Sequence, residues 1–155
     1  MNDERDSALA HAVVAMTEPS VRQKAFQLLR AAESRGPSDT AVTAQLGQFY
    51  DRMRQPDRAL PLLERVVSED PGNTAAAINL GTLYAQQNRL PEAVQTWEAA
   101  LTKNPALTGA RMNLAVAQAR LGRPQQAVAT LQVALRFDPD NAAARRLLAE
   151  ISGGR

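Results

Sequence analysis

The chain has 155 residues, 45% of them hydrophobic and 22% charged, with a formal net charge of +2 and no cysteine. Ala and Leu dominate the apolar content and strand-favouring residues are sparse, so an all-α fold is expected. The missing cysteines exclude disulfides, thiolate zinc sites, cysteine nucleophiles and haem attachment through Cys-x-x-Cys-His. No apolar run approaches the roughly 18 residues of a membrane span, and 18 basic against 16 acidic residues is far from the dense basic stripe of a nucleic-acid-binding surface.

The sequence opens MNDERDSALAHAVVA, acidic at the front and without the basic start and long apolar stretch of a signal peptide. A cytoplasmic location is the default expectation, and a periplasmic one follows if the chain is a piece of an exported protein. From Asp6 to Asp39 runs a worn copy of a pattern that becomes clear further on: Ala25, Leu29 and Pro37 stand 34 residues ahead of Ala59, Leu63 and Pro71. Three clear copies follow over 40–73, 74–107 and 108–141. In them Leu46, Leu80 and Leu114 advance by 34, as do Ala59, Ala93 and Ala127, and Pro71, Pro105 and Pro139. A period of this length marks stacked units that cannot bury their apolar faces alone. The remainder, 142–152, holds half a unit and reads as a capping helix with Arg145, Arg146 and Glu150 toward solvent. The whole chain, 1–155, then forms one domain of about nine helices.

Each copy divides into two helices. In the first, Leu80, Leu83, Tyr84 and Gln87 keep the spacing of one buried face, and Gly81, like Gly47, lets a neighbouring helix come close. Asn88 and Gly122 mark the break, being residue types that tolerate a left-handed backbone. Pro56, Pro91 and Pro124 sit near the start of the second helix, where a missing N–H costs little. Ala93, Trp97 and Ala100 form its buried stripe. Asp39, Asn73 and Asn141 are suitable N-caps for the next helix; Leu107 breaks that series, with Thr108 as the substitute. Pro61 falls inside a second helix, which predicts either a late start near Asp57 or Arg58 or a bend.

Leu46, Gly47 and Tyr50, repeated as Leu80, Gly81 and Tyr84, then Ala59 or Ala93, a large residue at Leu63 or Trp97, and Pro71 or Pro105 resemble the tetratricopeptide repeat, TPR. The resemblance is strong over 40–141 and partial on either side. The early Trp of the family is replaced by Thr43, Ala77 and Arg111, and the copy from Thr108 has Ala115 and Gln118 for Gly and Tyr. The resemblance implies a right-handed superhelix of antiparallel helix pairs whose first helices line a concave, peptide-binding face, and a non-catalytic role without cofactor or metal.

Steps of 34 along the non-core face of the first helices connect His11, Gln45, Asn79 and Asn113, all able to hydrogen-bond without charge. A second row holds Glu18, Arg52, Gln86 and Arg120, Gln48 and Thr82 lie between the rows, and a third row of Ser7, Ala41, Ala75, Gly109 and Ala143 is uniformly small. These residues are the candidate groove for an extended peptide, since amides donate and accept toward peptide N–H and C=O groups. The bland alternative is an ordinary solvated helix face. A carboxylate clamp for chaperone termini is not expected, because its Lys and Arg positions hold Ala44, Gly109 and Asn113. His11 is the sole histidine, Trp97 occupies a core position, and no Ser/His/Asp set or phosphate loop stands out. Two other readings fit. The chain is a module packing against a larger parent, an enzyme or multihaem cytochrome, or it self-associates through AAARRLLAEI. An Arg-to-Lys ratio of 16 to 2 points to a bacterial, GC-rich source.

Overall fold

The computed structural model describes residues 40–153, together with Gln23 and Gln27. Among these residues there are seven helices and no strand. They are α1 (Thr40–Arg52), α2 (Pro56–Glu69), α3 (Thr74–Gln86), α4 (Leu90–Lys103), α5 (Thr108–Arg120), α6 (Pro124–Phe137) and α7 (Ala142–Gly153). The two further helices expected over 6–39, and His11 with them, lie outside the described residues. The chain divides into two compact units between Asp70 and Pro71.

In the first unit α1 packs on α2. Leu46, Phe49 and Tyr50 of α1 and Ala59, Leu62, Leu63 and Val66 of α2 are buried. Thr43, at the position where the family carries Trp, is buried too, and its Oγ1 accepts from the Arg65 guanidinium at 2.7 Å. A β-branched hydroxyl thus takes the place of an indole, with its polar atom satisfied. α2 does not start late: it begins at Pro56 and runs through Pro61, which is exposed. Pro56 gives up an N–H that has no helical partner at a first-turn position, while Pro61 removes the donor that the Asp57 carbonyl would have met.

In the second unit α3 packs on α4 and α5 on α6; α4–α5 and α6–α7 are the main contacts between successive pairs, with a smaller one between α3 and α5. Leu80, Leu83, Tyr84, Ala93, Val94, Trp97 and Ala100 are buried in the first pair. Ala115, Ala127, Leu131 and Ala144 form the core of the second pair, with Leu147, Leu148 and Ile151 of α7 packed on it. The outer face of α7 carries Arg145, Arg146 and Glu150, all exposed, with Arg146 Nε 3.0 Å from Glu150 Oε1. Gln118, standing where Tyr50 and Tyr84 stand in the earlier copies, is buried, and its Oε1 accepts from Thr130 Oγ1 at 2.8 Å.

The turns inside the helix pairs repeat one device. Arg54, Asn88 and Gly122 have φ of 55°, 60° and 72°. The next N–H in each case reaches back five residues: Gln55 to the Tyr50 carbonyl, Arg89 to Tyr84 and Arg123 to Gln118, at 2.9, 2.8 and 2.9 Å. These are Schellman closures, which satisfy the last helical carbonyls. At the N-termini, Asn73 Oδ1 accepts from Ala76 N at 3.0 Å and Asn141 Oδ1 from Ala144 N at 2.9 Å, both as caps. Leu107 has no such bond. Thr108 does not replace it: its hydroxyl points back to the Ala106 carbonyl at 3.4 Å, because Thr108 is already the first helical residue. Among the described residues no helix is long and apolar enough to cross a membrane.

Candidate peptide-binding cleft

The second unit contains an open cleft of about 260 Å³ between α3, α4 and α5. Its polar lining is Thr82 and Gln86 from α3 and Asn113 and Arg120 from α5. Gln86, Asn113 and Arg120 belong to the rows read from the sequence, and Thr82 lies between them. Its apolar lining is Ala85, Leu90, Trp97, Val116 and Ala117.

The geometry follows from helical spacing. Asn113, Val116, Ala117 and Arg120 are three or four residues apart and so share a face of α5. Thr82, Ala85 and Gln86 do the same on α3. Gln86, Asn113 and Arg120 are exposed, and Thr82 is half-buried with its hydroxyl donating to the Ile78 carbonyl at 2.9 Å. Trp97 lies beneath, buried, its Nε1 donating to the same Ile78 carbonyl at 3.2 Å. One carbonyl therefore satisfies both a floor residue and a wall residue. Val116 is 41% exposed, one of two exposed large hydrophobic residues among those described.

Charge in the lining comes from Arg120. Its guanidinium donates to Asn88 Oδ1 at 3.0 Å, which ties the end of α5 to the α3–α4 turn. Asn88 is itself fixed in the left-handed conformation by the turn closure. At the same turn Arg89 Nε donates to Glu92 Oε1 at 2.9 Å and its guanidinium lies 4.4 Å from the centre of the Tyr84 ring. That donation, with a backbone bond at Glu92 itself, holds the Glu92 carboxyl below the usual carboxylate range.

Other sequence-derived candidates fall elsewhere. Asn79 is half-buried on α3 and is not part of the cleft lining. Gln45, Gln48 and Arg52 lie on α1 in the first unit, with Gln45 and Arg52 exposed and Gln48 half-buried. The apolar floor is what sequence reasoning missed. Trp97 reads as core and is core, yet one side of it faces the cleft. Val116 had a usable signal: stepping Thr82 forward by 34 lands on it, an aliphatic residue at a position polar in the copies before it.

A family model described as tetratricopeptide repeat matches residues 52–105 and again 92–151. The chain belongs to that family. Among solved structures it is similar to MamA, at 28% identity over 97% of this chain and 88% of that one, with a TM-score of 0.80. It is also similar to YrrB, described as a TPR protein with an unusual peptide-binding site, at 25% identity and a TM-score of 0.74. That match covers 82% of this chain and 66% of YrrB, so the chain spans just under two thirds of its length. The first TPR of Spaghetti (RPAP3), bound to the HSP90 peptide SRMEEVD, shares the fold at 22% identity and a TM-score of 0.68 over 74% of this chain and 93% of that one. No curated protein sequence matches the chain.

Proposed function

We propose that the protein is a non-catalytic interaction scaffold that binds an extended peptide segment of a partner protein in the cleft of its second unit. The observation that carries this reading is the composition of the cleft: an apolar floor at Leu90, Trp97 and Val116 beneath a rim of Gln86, Asn113 and Arg120. Concave, mostly apolar sites with a few convergent polar groups are where proteins hold ligands. Uncharged amides at the rim match the alternating donors and acceptors of a peptide backbone. YrrB, a relative by fold and sequence, is described by its peptide-binding site, which supports the same use here. Asn79 is proposed as a further contact in the second unit, and Gln45, Gln48 and Arg52 as partner contacts belonging to the first unit alone, by their repeat positions.

The test is to pan a library of random dodecapeptides against the whole chain and against Val116→Arg, which places a long charged side chain over the floor. Peptides retained by the wild type and lost by the variant support the reading. No enrichment on either protein, or enrichment indifferent to Val116→Arg, overturns it.

A further inference from the structure

The cleft has a polarity that defines the segment it accepts. Val116 and Arg120 are one helical turn apart on the same face of α5, about 6 Å along the axis at 1.5 Å per residue. In an extended peptide, residues two apart point to the same side and stand about 7 Å apart. The two spacings match. A volume of about 260 Å³ lies below the roughly 300–1,000 Å³ of small-molecule sites and is the size for one or two aliphatic side chains.

The charge is one-sided. Arg120 is the cation among the lining residues and none of them is acidic. A guanidinium has five N–H donors, and the bond to Asn88 uses one while fixing the group at the rim. A guanidinium so oriented is matched by a carboxylate. A main-chain terminal carboxylate lies in line with the peptide backbone. A side chain two positions from an anchored residue instead projects toward the helix face where Arg120 stands.

We infer, on the basis of the peptide-binding reading above, that the cleft selects a segment in which an aliphatic residue and an Asp or Glu are separated by one residue. The aliphatic side chain enters between Leu90, Trp97, Val116 and Ala117, and the side-chain carboxylate meets Arg120. Asn113, a further turn away from Arg120 on α5, takes the peptide backbone beyond the aliphatic residue.

The test uses peptides recovered by panning, resynthesised with acetylated and amidated ends and titrated by fluorescence anisotropy against the whole chain. The recovered set is expected to be enriched in the aliphatic-x-acid spacing, and replacing the acid by its amide is expected to weaken binding about tenfold. Arg120→Gln, an exposed change, is expected to remove that difference, so that acid and amide peptides bind the variant alike. Equal binding of acid and amide peptides overturns the inference and leaves the peptide-binding reading standing. So does a requirement for a free C-terminus. Failure to recover any peptide sensitive to Val116→Arg overturns both.

Discussion

Gly81 lies against the Trp97 indole so closely that a Cβ built on Gly81 would stand 2.5 Å from Trp97 Nε1. The same pair of positions holds Gly47 and Leu63 in the preceding copy, where an added Cβ would meet Leu63 Cγ at 2.8 Å. In the copy after it the pair is Ala115 and Leu131, both fully buried. The small residue on the first helix and the large one on the second are therefore a matched set, and a methyl at the small position is accommodated in the copy that pairs Ala115 with Leu131.

Gly81→Ala alone is expected to lose about 1–3 kcal/mol by overpacking. Trp97→Leu alone is also destabilising, through the space it leaves. Together they recreate the Ala115–Leu131 combination. The Ile78 carbonyl, deprived of the indole N–H, still accepts from Thr82 Oγ1. Urea denaturation of the four proteins should show the double variant more stable than the sum of the single losses by about 1 kcal/mol or more. Strict additivity would mean that the two positions are not coupled through this contact.

The left-handed turn residues give a prediction of opposite sign at two equivalent sites. Arg54 and Gly122 have φ of 55° and 72° in the same closure. A non-glycine residue there carries a steric cost of roughly 1–2 kcal/mol. Arg54→Gly should therefore raise stability by about 1 kcal/mol, and Gly122→Ala should lower it by a similar amount. A Cβ on Gly122 meets nothing within 4 Å, so that loss reports backbone strain without any packing clash. Thermal melts of the two variants check both signs, and an unchanged Tm for Arg54→Gly would show that its side chain compensates.

Asp51 supplies a pH dependence. Burial pushes its carboxyl above the usual carboxylate value, with the neighbouring Arg52 charge opposing. Because the folded-state pKa exceeds the unfolded one, the folded state binds more protons between the two values and stability falls as pH rises through them. The penalty is absent at pH below both values and complete above the folded-state value. Asp51→Asn should therefore raise the midpoint of denaturation at pH 7, with the gain shrinking as pH is lowered through the carboxylate range. A gain that is the same at pH 7 and in acid would assign the effect to something other than ionisation.

The repeat, the helix pairs and their turns were legible because each depends on short-range chemistry that the sequence states openly: Leu80 with Tyr84 on one face, Asn88 at a left-handed turn, Asn73 as a cap. That Thr82 and Gln86 share a face of α3, and Asn113 and Arg120 a face of α5, was legible for the same reason, since helical spacing fixes which residues share a face. The floor was not. Whether one side of a buried Trp97 faces a neighbouring α5 or a cleft depends on how helix pairs splay, which is set by contacts between residues distant in sequence. Nor does a Pro-x₄-Pro run reveal that α2 starts at Pro56 and passes through an exposed Pro61. The helix tolerates the lost bond because its opposite face, Leu62, Leu63 and Val66, is buried.

The uncapped start of α5 is the clearest place to add stability. Leu107 has φ −72° and ψ 80°, and Asn73, which caps α3, has φ −75° and ψ 75°. The backbone at the two sites is the same within a few degrees, and the turn before each is closed alike, Thr74 N to the Gly72 carbonyl and Thr108 N to the Ala106 carbonyl, both at 2.8 Å. An Asn at 107 should thus accept from Ala110 N as Asn73 accepts from Ala76 N. A cap of this kind contributes about 1 kcal/mol, against which stands the burial lost from a half-buried Leu107. Leu107→Ala measures that loss separately. The expected order of Tm is Leu107→Asn above Leu107→Ala by several degrees, with hydrogen-exchange protection rising at the amides of the first turn of α5. If Asn and Ala at 107 give the same Tm and the same protection, the side chain is not capping the helix, however well the backbone matches.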